Sequence, residues 1–207
     1  MDTLAPTSEI PSGNGAGIDL KITVRDRDGR IVNEQCKEGD IYLYNWAVLV
    51  ASILKNGFAG QATSKTYYGI RQANGAQLVF DTQWIYPSDT GTPRWGNNGR
   101  ICLGSSSQAA NIRDYCLAAP VKEIVPSVPL IQQDGNTLKI VVSGTASFAS
   151  ETMLSECGLA ICHPFGTENG TYRMMITRDT FTATTVPAGG TITLQFELWF
   201  NAMPPTT

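Results

Sequence analysis

The sequence has little charge, and its basic residues are not concentrated anywhere. Of the 207 residues only 16% are charged, and the net charge is −3, from 15 Lys or Arg and 18 Asp or Glu. A domain that binds nucleic acid usually carries a basic stripe. Here the longest basic cluster, residues 24–30, has Asp26 and Asp28 among its arginines. We therefore expect no nucleic-acid partner.

Long apolar runs are missing as well. A membrane-spanning helix needs roughly 18 or more consecutive apolar residues, and no such run occurs. The first 17 residues have no basic segment followed by an apolar one, so they do not resemble a secretory signal. We expect a protein that does not contact the membrane and that folds in the cytoplasm where it is made.

The cysteines do not form a pattern that indicates disulfides or a metal site. Their number, five, is odd, and their spacing does not match a disulfide framework. Cys157, Cys162 and His163 lie close together, but the second ligand pair typical of a zinc site is missing. We expect structural thiols that behave as small buried hydrophobes, with no metal and no cofactor.

Catalytic signatures are also lacking. His163 is the single histidine, and no Gly-x-Ser-x-Gly or Cys/His signature accompanies it. The Gly-Ser turn at residues 104–107 lacks the lysine and second glycine of a phosphate-binding loop. Glu156 stands on an apolar strand, where an unpaired carboxylate would be costly, so we expect it to bond to the backbone or to an arginine. The sequence predicts that the protein is not an enzyme.

What the sequence does contain is alternation of apolar and polar residues, the period of a half-buried strand. It is clearest at residues 18–24 and in the closing segment, residues 191–200, and Asp28-Gly29 favours a tight hairpin turn. Short strands separated by turn residues indicate an all-β fold. We predict an antiparallel β-sandwich, jelly-roll-like or Ig-like, formed by a single domain at residues 18–207.

One segment, residues 41–56, predicts an α-helix instead. Asp40 is a suitable N-cap and Gly57 a suitable residue after the C-terminus. Because the segment is apolar on most faces, we expect a buried helix. The predicted core combines residues of this helix with residues of the strands: Trp46, Val50, Ile53, Phe148, Leu159, Ile161, Ile176, Phe196 and Leu198.

The two ends of the chain lead to a prediction about assembly. Residues 1–17 contain few large apolar groups and predict an extended N-terminal arm that cannot order itself alone. The closing strand is strongly apolar, and an exposed apolar edge is a hazard that proteins normally cover. We expect a homo-oligomer in which an arm or edge of one copy covers its neighbour.

Aromatic residues raise one alternative. Trp84, Tyr86 and Trp95 lie near one another in an irregular region and are candidates for binding a sugar. Core packing is the commoner role of such side chains.

Five segments, taken in order, resemble virion structural proteins of tailed phages and archaeal viruses, in capsid-decorating or tail-associated positions. They are ITVRDRDGRIV, YNWAVLVASIL, ICLGSSSQAANIRDYCLAAPV, LSECGLAI, and ITRDTF with VPAGGTITLQFELWF. Each segment alone is weakly specific, and the resemblance rests on their order over residues 20–200.

The resemblance implies a non-enzymatic structural protein of a virion. It would be made in the host cytoplasm and would assemble by self-association on a capsid, vertex or tail, with copies of itself and other virion proteins as partners. The alternative is a receptor- or glycan-binding module of a viral fibre that uses Trp84, Tyr86 and Trp95.

Overall fold

The computed structural model describes residues 15–40, 46–47, 70–71, 77–78, 99–163 and 172–201. Within these residues the secondary structure is almost entirely β. The strands are β1 (Ala16–Arg25), β2 (Ile31–Asp40), β3 (Ile70–Arg71), β4 (Gln77–Leu78), β5 (Gly99–Gly104), β6 (Pro120–Ile124), β7 (Leu130–Asp134), β8 (Thr137–Ser147), β9 (Thr152–His163), β10 (Tyr172–Val186) and β11 (Thr191–Asn201).

Two antiparallel sheets make up most of the fold. The larger has five strands in the order β2-β1-β11-β8-β7, and the second has four in the order β10-β9-β5-β6. A separate antiparallel pair, β3 and β4, lies on either side of Asn74-Gly75 in the sequence. The predicted all-β class is confirmed.

The position of β11 corrects one prediction. This closing strand pairs with β1 on one side, from Ala16 opposite Phe200 to Arg25 opposite Thr191, and with β8 on the other. It therefore has no free edge, and the expectation that it exposes one is wrong. The reason is topological. β1, the first strand of the chain, pairs with β11, the last, and local alternation of residue types carries no information about such long-range pairing.

The hairpin between β1 and β2 is confirmed, although its loop is longer than a two-residue turn. The amide of Gly29, which has φ +82°, donates to the Asp26 carbonyl at 3.1 Å, and Asp26 N donates to Arg30 O at 3.0 Å. The Asp26 carboxylate also accepts from the amides of Asp28 and Arg30, both at 2.9 Å. These bonds to Asp26 leave three residues, 27–29, between the hydrogen-bonded Asp26 and Arg30.

A single apolar cluster contains residues of both large sheets. Five of the predicted core residues, Phe148, Leu159, Ile176, Phe196 and Leu198, are buried in it, and Trp46 packs against it while partly buried. Alternation along β11 is confirmed, since Ile192, Leu194, Phe196 and Leu198 are all buried. The side chains of Val50, Ile53 and Ile161 lie outside the described residues.

Two predictions fall largely outside the described part of the chain. Of the predicted helix at residues 41–56 only Trp46 and Ala47 are described, and residues 1–14 of the predicted arm are not. β1 begins at Ala16, inside the predicted arm. Among the described residues there is no helix of the length and hydropathy needed to cross a membrane.

Candidate functional site

The three aromatic residues of the glycan-binding alternative, Trp84, Tyr86 and Trp95, lie outside the described residues. Within the described ones, the most unusual chemistry is a charged cluster on one face of the four-stranded sheet. Its members are Asp114, Glu156 and Arg178, and the latter two are completely buried. We call these three residues the carboxylate–arginine cluster.

Strand register brings Glu156 and Arg178 to the same face. Arg178 of β10 stands opposite Gly158 of β9, two residues along from Glu156. On the other side of β9, Glu156 stands opposite Gly104, the last residue of β5. Both neighbours lack side chains. A Cβ on Gly104 would lie 2.6 Å from the Ala119 carbonyl oxygen and would collide with Glu156 Oε1.

Glu156 binds the two ends of the loop that connects β5 to β6. Its Oε1 accepts from the amides of Ala119 at 2.7 Å and Ser106 at 3.3 Å, and its Oε2 accepts from Ala118 N at 3.0 Å. Oε2 also accepts from Arg178. The prediction that Glu156 bonds to backbone and arginine is thus confirmed, since it does both.

Arg178 uses all of its hydrogen-bond donors, since a guanidinium has five N–H groups and five hydrogen bonds are present. Nε and Nη2 donate to Glu156 Oε2 at 3.1 and 2.9 Å, and Nη1 donates to Asp114 Oδ2 at 2.6 Å. The remaining two reach the carbonyls of Gln108 and Ala109 at 2.9 and 3.4 Å. Burial lowers the pKa of Arg178, but the hydrogen bonds and charges of Asp114 and Glu156 outweigh it and raise the pKa above its ordinary value.

Asp114 joins the cluster to a small turn in the middle of the loop. Its Oδ2 accepts from the Asn111 amide at 2.7 Å, and its own amide donates to Asn111 O at 2.9 Å. The Asn111 side chain accepts from Arg113 N at 2.9 Å. One carboxylate therefore closes the turn and holds the guanidinium.

The cluster acts as an internal clamp. Every carboxylate oxygen of Glu156 and every donor of Arg178 is already bonded within the chain, and both side chains are buried. Such groups cannot hold a substrate without breaking these bonds, which a buried charge tolerates poorly. The chemistry present fixes the loop at residues 105–119 against the sheet.

Beside the loop lies a cavity of about 590 Å³ with a mainly apolar wall. The loop contributes Cys116 and Leu117, and the sheet contributes Cys102, Ala160 and Met175. Burial raises the pKa of the Cys116 thiol, and the Asp114 carboxylate raises it further, partly offset by the Arg178 charge. The thiol is therefore held in its neutral form and is a poor nucleophile.

Of Cys157, Cys162 and His163, which lie close together in the sequence, only Cys157 has a described side chain. Cys157 is fully buried in the main core, and the side chains of Cys162 and His163 lie outside the description. Cys36, Cys102, Cys116 and Cys157 are not joined in disulfides. No group of three or more His, Cys, Asp or Glu arranged to hold a metal ion occurs among the described residues.

A second ionic contact ties the two large sheets together. Lys37 of β2 pairs with the buried Asp179 of β10. Gln35, also on β2, donates to Thr182 O at 2.9 Å. Asp179 Oδ2 and Thr177 Oγ1 are buried with no hydrogen-bond partner. These contacts link β2, an edge strand of the five-stranded sheet, to β10, an edge strand of the four-stranded sheet.

Of the three residues of the carboxylate–arginine cluster, sequence reasoning singled out only Glu156 and did not identify Arg178 or Asp114 as part of its surroundings. Asp114, Glu156 and Arg178 belong to three different segments of the resemblance described above, ICLGSSSQAANIRDYCLAAPV, LSECGLAI and ITRDTF. The structure places all three in one cluster. The available signal was that each segment places a charged residue beside apolar ones, which requires a buried partner.

No protein family, curated protein or solved structure matches the chain.

Proposed function

We propose that the chain is a non-enzymatic structural protein of a virion. In this proposal it assembles by self-association on a capsid, vertex or tail, with copies of itself and other virion proteins as partners. We further propose that the two sheets form a β-sandwich, jelly-roll-like or Ig-like. The single apolar cluster shared by both sheets supports that arrangement.

The observation that carries the proposal is the carboxylate–arginine cluster. Its ionic groups are bonded within the chain and hold a long loop in one conformation. A loop fixed in this way presents a constant surface, which suits repeated contacts between identical subunits. The three segments of the virion-protein resemblance that supply the cluster therefore share one structural role.

The test is the mass of the purified full-length protein by light scattering at micromolar concentration, with electron microscopy of any assemblies. We expect a homo-oligomer. Deletion of residues 1–17 tests whether the predicted arm contributes to that assembly. A full-length protein that remains a stable monomer across this concentration range contradicts self-association.

The glycan-binding alternative has a separate test. Specific binding on a glycan array, abolished by Trp95→Ala and unaffected by substitution of an exposed residue such as Val125, would favour the alternative over the structural role.

A further inference from the structure

The cavity beside the loop at residues 105–119 has the size and shape of a small-molecule site. Its volume of about 590 Å³ falls within the range of about 300–1,000 Å³ that is usual for such sites. The loop forms one wall and residues 120–123 of β6 form another. The floor belongs to the four-stranded sheet, and four residues of floor and loop form one buried apolar cluster: Cys102, Leu117, Ala160 and Met175.

A glycine brings two sulfur-containing side chains together on this floor. Gly158 of β9 stands opposite Cys102 of β5. Because Gly158 has no side chain, the Met175 Sδ atom lies over it, 3.2 Å from the position that a Cβ would take. Residues directly opposite on paired strands project from the same face. The Met175 sulfur and the Cys102 side chain are therefore neighbours at one backbone position.

Sulfur is unusually prominent in the lining. Cys102, Cys116 and Met175 supply three of the nine described residues around the cavity. Thioether sulfur is polarisable and makes favourable contacts with aromatic rings, and a neutral cysteine behaves as a small hydrophobe. The raised pKa of Cys116 keeps its thiol neutral. The lining therefore suits an aromatic ring better than a charged group.

The ionic groups near the cavity already have partners within the chain. Arg178 and Glu156 bind each other below the loop. Lys122 donates to Ser147 O at 2.6 Å, and its Nζ lies 4.8 Å from the centre of the Phe148 ring. Glu123, the acidic residue of the described wall, also interacts within the chain. A charged ligand would lose its water here without gaining a dedicated counter-charge, which is costly.

The carboxylate–arginine cluster holds the loop wall of the cavity in place. Cys116 and Leu117 lie between Asp114, which accepts from Arg178 at 2.6 Å, and Ala118, whose amide donates to Glu156 at 3.0 Å. Both sides of this short wall segment are thus fixed to the sheet. The cavity is already formed before a ligand arrives, as ligand sites usually are, and binding then avoids the cost of ordering a loop.

We propose that this cavity binds a small, uncharged aromatic molecule, with its ring against the sulfur atoms of Cys102, Cys116 and Met175. An apolar cavity of about 150 Å³ already holds benzene, so the larger volume here has room for two fused rings. The inference goes beyond the proposed structural role and does not depend on self-association.

The experiment titrates the full-length protein by calorimetry with naphthalenemethanol, which is aromatic and uncharged. Three relatives of this probe separate the terms of the proposal: the ring-saturated decahydronaphthalenemethanol, the anion naphthoate and the cation naphthalenemethylammonium. We expect one molecule of naphthalenemethanol to bind per chain. The saturated relative should bind about tenfold more weakly, because it loses the sulfur–aromatic contacts. Both charged relatives should also bind more weakly.

Two variants locate the site. Met175→Leu keeps the volume of the side chain and removes its sulfur, so it should weaken binding of naphthalenemethanol several-fold. Ala160→Leu places a larger side chain in the floor and should abolish binding. Met153→Leu is the matched control, since it makes the same change at an exposed methionine outside the cavity. It should leave the affinity unchanged. Thermal unfolding shows whether each variant is folded.

A measurement on the wild type needs no variant. Saturating naphthalenemethanol should slow the alkylation of Cys116 by iodoacetamide and leave that of the exposed Cys36 unchanged, as followed by peptide mass spectrometry.

The proposed site is wrong if binding does not saturate, if saturation leaves the alkylation of Cys116 unchanged, or if a folded Ala160→Leu variant keeps the affinity. Equal or tighter binding of the saturated relative or of either charged relative contradicts the proposed class of ligand. Neither result bears on self-association, which the mass of the protein tests separately.

Discussion

One ion pair on each large sheet shows how burial changes the role of charge. On the five-stranded sheet Lys21 pairs with Glu34 at 3.1 Å, and both side chains are almost half exposed. On the four-stranded sheet Arg178 and Glu156 pair at 2.9 Å with almost no exposure, beneath the loop at residues 105–119. Both are ion pairs of similar length. Because the Lys21–Glu34 pair is exposed, it is a weak surface contact. The Arg178–Glu156 pair is buried, and the structure therefore depends on it.

The physical reason lies in what replaces the partner when one group is removed. At an exposed position water takes its place, so such pairs contribute about 0–1 kcal/mol. At a buried position the remaining charge has no substitute, and the loss is about 3–5 kcal/mol. The distance between the charged atoms alone therefore does not indicate which of the two pairs contributes more to stability.

The largest expected effect comes from breaking the buried pair. Arg178→Met should lower the free energy of unfolding by about 3–5 kcal/mol, because it leaves the buried Glu156 carboxylate without its cation. Urea unfolding measures this. Adding Glu156→Gln to Arg178→Met should recover part of the loss, since the uncompensated charge is then gone. If Arg178→Met is no more destabilising than a surface change, the clamp has no energetic role.

This cluster also shows how far the sequence predicts the structure. The partner types of Glu156 followed from the cost of burying a carboxylate, and the strands followed from alternation. The identity of the arginine did not, because Glu156 and Arg178 meet through the pairing of β9 with β10, which depends on non-local register. Nor did alternation indicate β6 or β7, whose short segments PVKEI and LIQQD lack an alternating apolar face.

The same dependence on non-local pairing explains why the exposed edge expected for β11 was wrong. Its alternating residues predicted correctly which side chains are buried. Whether a strand lies at the edge or the centre of a sheet depends on the strands that flank it, here β1 and β8, which are distant in sequence. The edge strand beyond β8, β7, is much shorter and less apolar than β11.

A smaller effect is expected from filling the space above Glu156. Gly104→Ala puts a methyl group against the Glu156 carboxylate and the Ala119 carbonyl. Overpacking of this kind typically costs about 1–3 kcal/mol. Hydrogen exchange in residues 105–119 should accelerate, because the displaced carboxylate releases the amides of Ala118 and Ala119. The control is Ser105→Ala, which changes an exposed side chain and should stay within about 0.5 kcal/mol of the wild type. Equal exchange in both variants would contradict the clamp.

The exposed Lys21–Glu34 pair provides the complementary test of the comparison with the buried Arg178–Glu156 pair. Lys21→Ala should change the free energy of unfolding by about 1 kcal/mol or less, since both members of the pair with Glu34 are well solvated. The difference should shrink further in added salt, because screening weakens exposed charges. A loss comparable with that of Arg178→Met would mean that burial is not what separates the two pairs.

The smallest effect concerns the reactivity of a thiol beside the clamp. Burial, together with the Asp114 carboxylate, raises the pKa of Cys116 above its ordinary value of 9.0. A thiol reacts as its thiolate, so a raised pKa shifts alkylation to higher pH. The rate of Cys116 alkylation, followed by peptide mass spectrometry in the folded protein, should therefore have its midpoint above pH 9.0. Asp114→Asn should lower that midpoint, because it removes a negative charge that disfavours the thiolate.

The same sign governs stability: the neutral thiol is favoured in the folded state, so the contribution of Cys116 is complete below pH 9.0 and is lost as pH rises through the folded pKa. A midpoint at or below 9.0 would mean that Arg178 outweighs burial at this position, and the loop would then hold Cys116 closer to the guanidinium than to the apolar wall of the cavity.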